Sequence, residues 1–158
     1  MTVRNVMTVL IATMVLAACA TTGGFSRAQE RALVAEGFVQ TGEGWELSLA
    51  DRLLFDSDSV DVKPEMQATV GRVADSLLRV GIDAARVEGH TDANGTSAYN
   101  ARLSEQRASA VAAAMQGRGF AAAKLALRGW GEAQPVADNA TEDGRGQNRR
   151  VVIIVTAR

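Results

Sequence analysis

The chain has 158 residues, enough for one domain and a short lead segment. Its formal net charge is −1 and only 4% of it is aromatic, so neither a polyanion-binding surface nor a base-stacking platform is built into it. With one cysteine and one histidine, an internal disulfide, a cysteine-based zinc site and a multi-histidine centre are all excluded.

Residues 1–18 read as a signal peptide. Arg4 supplies the positive start, and Val6 to Ala18 is an apolar run too short for a membrane span. Leu16-Ala17-Ala18-Cys19 resembles the bacterial lipobox, which implies cleavage before Cys19 and diacylation of its sulfur. Removing residues 1–18 removes Arg4 and takes the net charge from −1 to −2. Ala20 stands where an aspartate commonly retains lipoproteins at the inner membrane, so the resemblance points to the outer membrane. Two or more acyl chains anchor stably where one holds marginally. Residues 19–25 then form the lipidated cysteine and its tether, "ATTGG" being flexible.

Ser26 is an N-cap for a short helix with apolar residues at Ala32 and Leu33, and at Ala35 or Phe38. "TGEG" is a turn that closes a lead segment, residues 26–44. The main domain, residues 45–158, opens with "WELSLADRLLF", which alternates as one strand or as two segments broken near Ala50-Asp51. After a polar loop, Pro64 begins a helix with Met66, Val70, Val73 and Leu77 on one face, stopped by Gly81. "ARVEGH" is a short strand, and Thr96 or Ser97 caps a second helix that ends near Gly117–Gly119. "KLALRGWG" is a strand, "GEAQPVADNATEDGRGQN" a long loop, and "RRVVIIVTA" a last strand with five consecutive β-branched residues, suited to a central position. The sum is an α/β sandwich of order β-α-β-α-β-β, with two main helices on one mixed sheet of about four strands.

The second helix raises a question. At 100° per residue, Asn100, Leu103, Arg107, Val111 and Ala114 fall on one stripe, within about 60° of Asn100. Arg107 therefore points inward, where an unpaired guanidinium is costly. One reading is a structural ion pair with Glu88 or Asp92. The other is an anionic ligand. Asp92 leaves the preceding strand 15 residues earlier, and a loop that folds the helix back brings both charges to one cleft. Asn100 adds an amide on the same side. A carboxylate and a guanidinium together suit a ligand with an ammonium and a carboxylate on one carbon.

Catalysis has little to stand on. Asp56, Asp58, Asp92 and His90 offer acid–base groups, but "GHTD" has no spaced second histidine and "GRGQNRR" lacks the Gly-Lys-Ser/Thr ending of a phosphate loop. His90 reads as a structural residue at a strand end. The chain reads as a binding protein and not an enzyme, with no cofactor, no metal and no nucleic acid partner.

"FDSDS", "VEGHTDANGTSAYNARLSEQRASAV", "RGWGEAQPVADN" and "GRGQNRRVVIIV" together resemble the OmpA-like C-terminal domain, found also in the peptidoglycan-associated lipoprotein and in flagellar stator proteins. The four blocks match in order over roughly Trp45 to Thr156. The resemblance implies a β-α-β-α-β-β sandwich that binds peptidoglycan non-covalently through the diaminopimelate of its stem peptide. It assigns the ligand's ammonium to Asp92 and its carboxylate to Arg107. Asn100 lines the pocket, Asp56 and Arg149 flank it, and Thr91 and Leu103 complete the wall. On this reading the chain is an outer-membrane lipoprotein that faces the periplasm and tethers membrane to cell wall. The alternative is an envelope interaction module with a vestigial pocket that binds other envelope proteins. A stator-like protein with a true span is disfavoured, because the apolar run ends in a lipobox.

Overall fold

Ser26 starts the first helix with a reciprocal cap: its hydroxyl accepts from the Gln29 amide at 3.3 Å, and the Gln29 side chain accepts from the Ser26 amide at 2.9 Å. This computed structural model describes residues 24–55 and 59–157; the signal peptide, Cys19 and Asp56 lie outside the described residues. The first helix, α1 (Arg27–Ala35), buries Leu33. It leads to a hairpin of β1 (Val39–Thr41) and β2 (Gly44–Ala50), with Thr41 opposite Gly44 across the "TGEG" turn.

The reading of a second strand segment after Ala50 is corrected. Asp51–Leu54 is a single helical turn, α2, whose end is closed by the Phe55 amide donating to Asp51 O at 2.9 Å. Beyond it come α3 (Pro64–Arg79), β3 (Ala85–His90), α4 (Ser97–Gln116) and β4 (Leu125–Gly129). The expected long loop contains a further helix, α5 (Glu142–Asn148), before β5 (Arg150–Val155). Two glycines argue against a helix there. Thr141 nevertheless caps it through the Gly144 amide at 3.0 Å.

The sheet is mixed and has five strands, in the order β1-β2-β5-β3-β4. The extra strand over the expected four is β1, too short to show an alternation. The β-branched run of β5 is central, antiparallel to both β2 and β3, while β3 and β4 are parallel and joined through α4. Val87, Val151, Ile153 and Val155 on one sheet face meet Val70, Val73, Ala74 and Leu77 of α3 and Ala108, Val111, Ala112 and Met115 of α4 in one core. Alternation sends Glu88, His90, Arg150, Val152 and Ile154 to the opposite face, away from α3 and α4.

The fit of α4 to the sheet is close. A Cβ on Gly89 would lie 1.9 Å from Ser104 O, and one on Gly129 would lie 2.6 Å from the Glu105 amide nitrogen. Only glycine lets the helix backbone settle this low. The fully buried Ser104 fastens it there, accepting from the Gly131 amide at 2.9 Å and donating to Ala101 O at 2.9 Å.

Candidate functional site

One edge of the sheet gathers the polar residues. Ala50, Arg150 and His90 stand side by side as the last paired row of β2, β5 and β3. The residues just past that row, Asp51, Arg149 and Asp92, therefore become neighbours. The Asp51 amide donates to Arg149 O at 3.0 Å, carrying the β2–β5 ladder one step further.

After His90 the chain turns on Asp92, whose Oδ1 accepts from the Asn94 amide at 2.9 Å, the local bond that makes aspartate a turn residue. Thr91 Oγ1 donates to Asp92 O at 2.9 Å. Thr96 then caps α4 through the Tyr99 amide at 3.2 Å. The helix runs back over β3, and Asn100 Nδ2 donates to Asp92 O at 3.4 Å and to Glu132 Oε2. Seven residues on, about 10 Å along the axis, Arg107 reaches the same side.

Thr91, Asp92, Asn100, Leu103, Arg107 and Arg149 all line one cavity of about 450 Å³. Asp51, Arg52, Phe55, Lys63, Asn94 and Tyr99 line it as well. Its size lies within the range of small-ligand sites. Asp92 and Arg107 are only 6% and 5% exposed, a depth at which charges are found paired.

The partners differ from those expected. Arg107 pairs with neither Glu88 nor Asp92. Its Nη1 lies 2.9 Å from Asp51 Oδ1, its Nε and Nη2 donate to Ser59 O at 3.4 and 3.3 Å, and its guanidinium sits 5.0 Å from the centre of the Phe55 ring. Burial pushes the Asp51 carboxyl above its ordinary value, against the pull of the Arg107 charge. Asp92 Oδ2 takes Arg149 Nη1 at 2.6 Å, and Arg149 Nη2 reaches Glu142 Oε1 at 2.9 Å. Those two bonds, Glu142 first, hold the Arg149 guanidinium above its usual range. Glu88 lies on the opposite sheet face, where it pairs with Arg86 Nε at 2.7 Å and accepts from Trp130 Nε1 at 2.8 Å.

Two acidic residues of this region were not foreseen. Asp51 sits in a stretch whose alternation reads as a strand. Glu132 follows the glycine pair after β4, accepts from Asn100 and from Ser97 Oγ at 2.6 Å, and is held below the ordinary carboxylate range, by Asn100 first. The parallel β3–β4 pair ends both strands at one edge, so Asp92 and Glu132, each just beyond a strand end, had to approach one another.

A larger hollow of about 980 Å³ lies on the opposite sheet face, lined by Glu88, His90, Trp130 and Arg150 and bordered by α5. Two of its charged groups are engaged within the protein: Glu88 as above, and Arg150 on Asn148 O at 3.1 Å and Gln134 O at 3.2 Å. The smaller cavity concentrates buried, opposed charges and is the candidate site. Among the described residues, no group of three or more His, Cys, Asp or Glu side chains is placed to hold a metal ion, and no helix is long and apolar enough to cross a membrane.

Comparison with known proteins identifies the family. The chain is 44% identical over 134 residues to the outer-membrane lipoprotein YfiB of Pseudomonas aeruginosa, covering 85% of this chain and 80% of the relative. Its fold is similar to that of the cell wall anchor of the T6SS from Pseudomonas aeruginosa, with TM-score 0.69, 30% identity, and coverage of 86% of this chain and 99% of that one. It is also similar to the peptidoglycan-associated lipoprotein from Burkholderia pseudomallei, with TM-score 0.59, 33% identity, and coverage of 68% and 87%. Residues 54–149, more than half of the chain and including Asp92, Asn100, Arg107 and Arg149, match the OmpA family. The chain belongs to the OmpA family.

Proposed function

We propose that this chain is a lipid-anchored outer-membrane protein whose periplasmic domain binds peptidoglycan through the diaminopimelate of its stem peptide and so tethers membrane to wall. Asp92 takes the ligand's ammonium and Arg107 its carboxylate, with Asn100, Thr91 and Leu103 as walls and Arg149 as a flanking cation. Asp56 belongs to the proposal on the family resemblance alone. The observation that carries it is the meeting of Asp92 and Arg107, 15 residues apart in sequence, as buried opposite charges in one cavity of ligand size. The relatives support it: one is called an outer-membrane lipoprotein, one a cell wall anchor and one a peptidoglycan-associated lipoprotein.

A second reading, an envelope interaction module whose pocket is vestigial, draws on one observation: both clamp residues already have protein partners, Asp51 and Arg149. Co-sedimentation with purified sacculi separates the two. Binding by the wild type that Asp92→Ala abolishes supports the wall reading. Wild-type protein that stays in the supernatant supports an envelope protein as partner.

A further inference from the structure

The pairing that favours a vestigial pocket also offers a way to open it. In the ligand-free protein the cavity is lined by two buried acids, Asp51 and Asp92, and by four cations, Arg52, Lys63, Arg107 and Arg149; the acids are held as Asp51–Arg107 at 2.9 Å and Asp92–Arg149 at 2.6 Å. A ligand carboxylate arriving at Arg107 meets the Asp51 carboxylate on the same guanidinium, and a ligand ammonium arriving at Asp92 meets Arg149. Both are like-charge encounters in a partly desolvated site. The two displaced groups are each other's natural partners. Asp51 and Arg149 are joined by the 3.0 Å backbone bond at the end of the β2–β5 ladder, and both side chains line the same cavity.

We propose that ligand binding exchanges the ion pairs: the ammonium takes Asp92, the carboxylate takes Arg107, and the released Asp51 and Arg149 pair with one another. The proposal rests on the zwitterion reading of the site given above. It makes Asp51 a positioning residue that fixes Arg107 in the free state and neutralises Arg149 in the bound state. No buried charge is left without a partner in either state, so the pocket is both stable when empty and able to bind. It also sets specificity. A ligand with only a carboxylate frees Asp51 but leaves Arg149 on Asp92, and one with only an ammonium does the reverse. Only a zwitterion releases both members of the new pair. Glu142, the other partner of Arg149, steadies that side chain through the exchange.

The fields already overlap in the free protein, where Asp51 responds to Arg107, to Arg149 and to Asp92, in that order, and to Lys63 more weakly.

The test is a double-mutant cycle, Asp51→Asn with Arg149→Met, read as affinity for a diaminopimelate muropeptide by calorimetry near neutral pH. Thermal unfolding of the free proteins runs in parallel. Arg107→Lys, which keeps a charge for Asp51, serves as the control for the site itself. The wild type is expected to bind at least about threefold more tightly than the single effects and the double mutant together predict for independent residues. The coupling of the same pair in unfolding of the free protein, where their fields only overlap, is expected to be smaller than the coupling in affinity. Additive affinities, in a wild type that binds and a folded Arg107→Lys that does not, overturn the exchange alone. A wild type that does not bind the muropeptide overturns the diaminopimelate reading and the exchange with it. A ligand-bound structure of the unsubstituted chain answers without any variant: Asp51 within about 4 Å of Arg149 supports the exchange, and Asp51 still on Arg107 overturns it.

Discussion

Asp51 sits one residue beyond β2, and its carboxylate decides how Arg107 is held. Arg107 itself was legible: a 100° periodicity places it and Asn100 on the inward stripe, and both are buried. The stripe actually buried, which includes Ser104, Ala108 and Met115, is centred some way round from the one drawn through Leu103 and Ala114. The Gly89 and Gly129 contacts pull Ser104 onto the sheet, which moves Arg107 to the border of the buried stripe, beside the cavity. Asp51 was not legible, because a partner 56 positions away is chosen by strand order and not by any local pattern. His90, read as structural, lies in the row with Arg150, with its Nε2 3.9 Å from Glu88 Oε2. Burial first, and the Arg150 charge second, lower its pKa from 6.5 to about 4. The unfolded chain thus takes up a proton before the folded one does. Stability is full above pH 6.5 and falls as pH drops from there towards 4, by roughly 3 kcal/mol in all. Denaturation midpoints across that window should show the slope in the wild type and a flatter profile in His90→Gln, with ligand affinity changed by no more than a few fold. An unchanged slope in the variant would show that another group carries it.

At the scale of elements, the site depends on how low α4 lies over β3 and β4. Strands, main helices and their order were read from alternation, helical spacing and turn residues, because long amphipathic segments announce themselves. The short pieces α2, β1 and α5 were not, since tertiary contacts hold them. The case of α5 is plain. Its Asn148 is fully buried, accepts from the Val136 and Ala137 amides at 2.8 and 3.0 Å, and donates to Ala137 O at 2.9 Å, pinning the preceding loop and with it Arg149. For α4 the dependence is testable at one atom. Gly89→Ala puts a methyl 1.9 Å from Ser104 O, so helix and sheet must part. Overpacking of this kind costs about 1–3 kcal/mol. Because Asp92 moves with β3 and Arg107 with α4, the variant should also lose muropeptide affinity while it remains folded. Urea denaturation and calorimetry on the same sample check both. A variant as stable as the wild type would mean that the helix has room the geometry denies.

For the molecule as a whole, the described domain and the lipobox before it make one device on the reading proposed here, a wall clamp on a lipid anchor. On that reading the tether "ATTGG", at most about 17 Å if extended, would keep the domain close to the membrane surface. Cys19→Ser should therefore give a protein that no longer partitions with detergent-extracted membranes, while the purified domain still binds sacculi. Cell fractionation that finds the variant processed and membrane-bound would remove the anchor from the account. The meeting of Asp92, Asn100 and Arg107 at one cavity was legible in the sequence, because these residues are local or evenly spaced features. The internal counter-ions were not, and they change what is expected of the clamp. An inward arginine waiting for a ligand should cost stability in the free protein, whereas an arginine on a buried aspartate supports it. Removing Arg107 leaves Asp51 uncompensated, a loss of roughly 3–5 kcal/mol for a buried pair, so Arg107→Lys is the informative variant: it keeps a charge for Asp51 and loses the planar fork.

The most direct test of the central claim is muropeptide binding by the cycle Asp92→Ala and Arg107→Lys, with thermal unfolding alongside. Losing one partner of a buried charge-assisted contact costs roughly 2–5 kcal/mol, which is on the order of 30-fold or more in affinity. Each single variant should lose that much while staying folded, and the double should lose less than the sum, because the first substitution already empties the site. Folded variants that bind the muropeptide at wild-type strength would contradict the account and leave Asp92 and Arg107 as structural ion-pair residues.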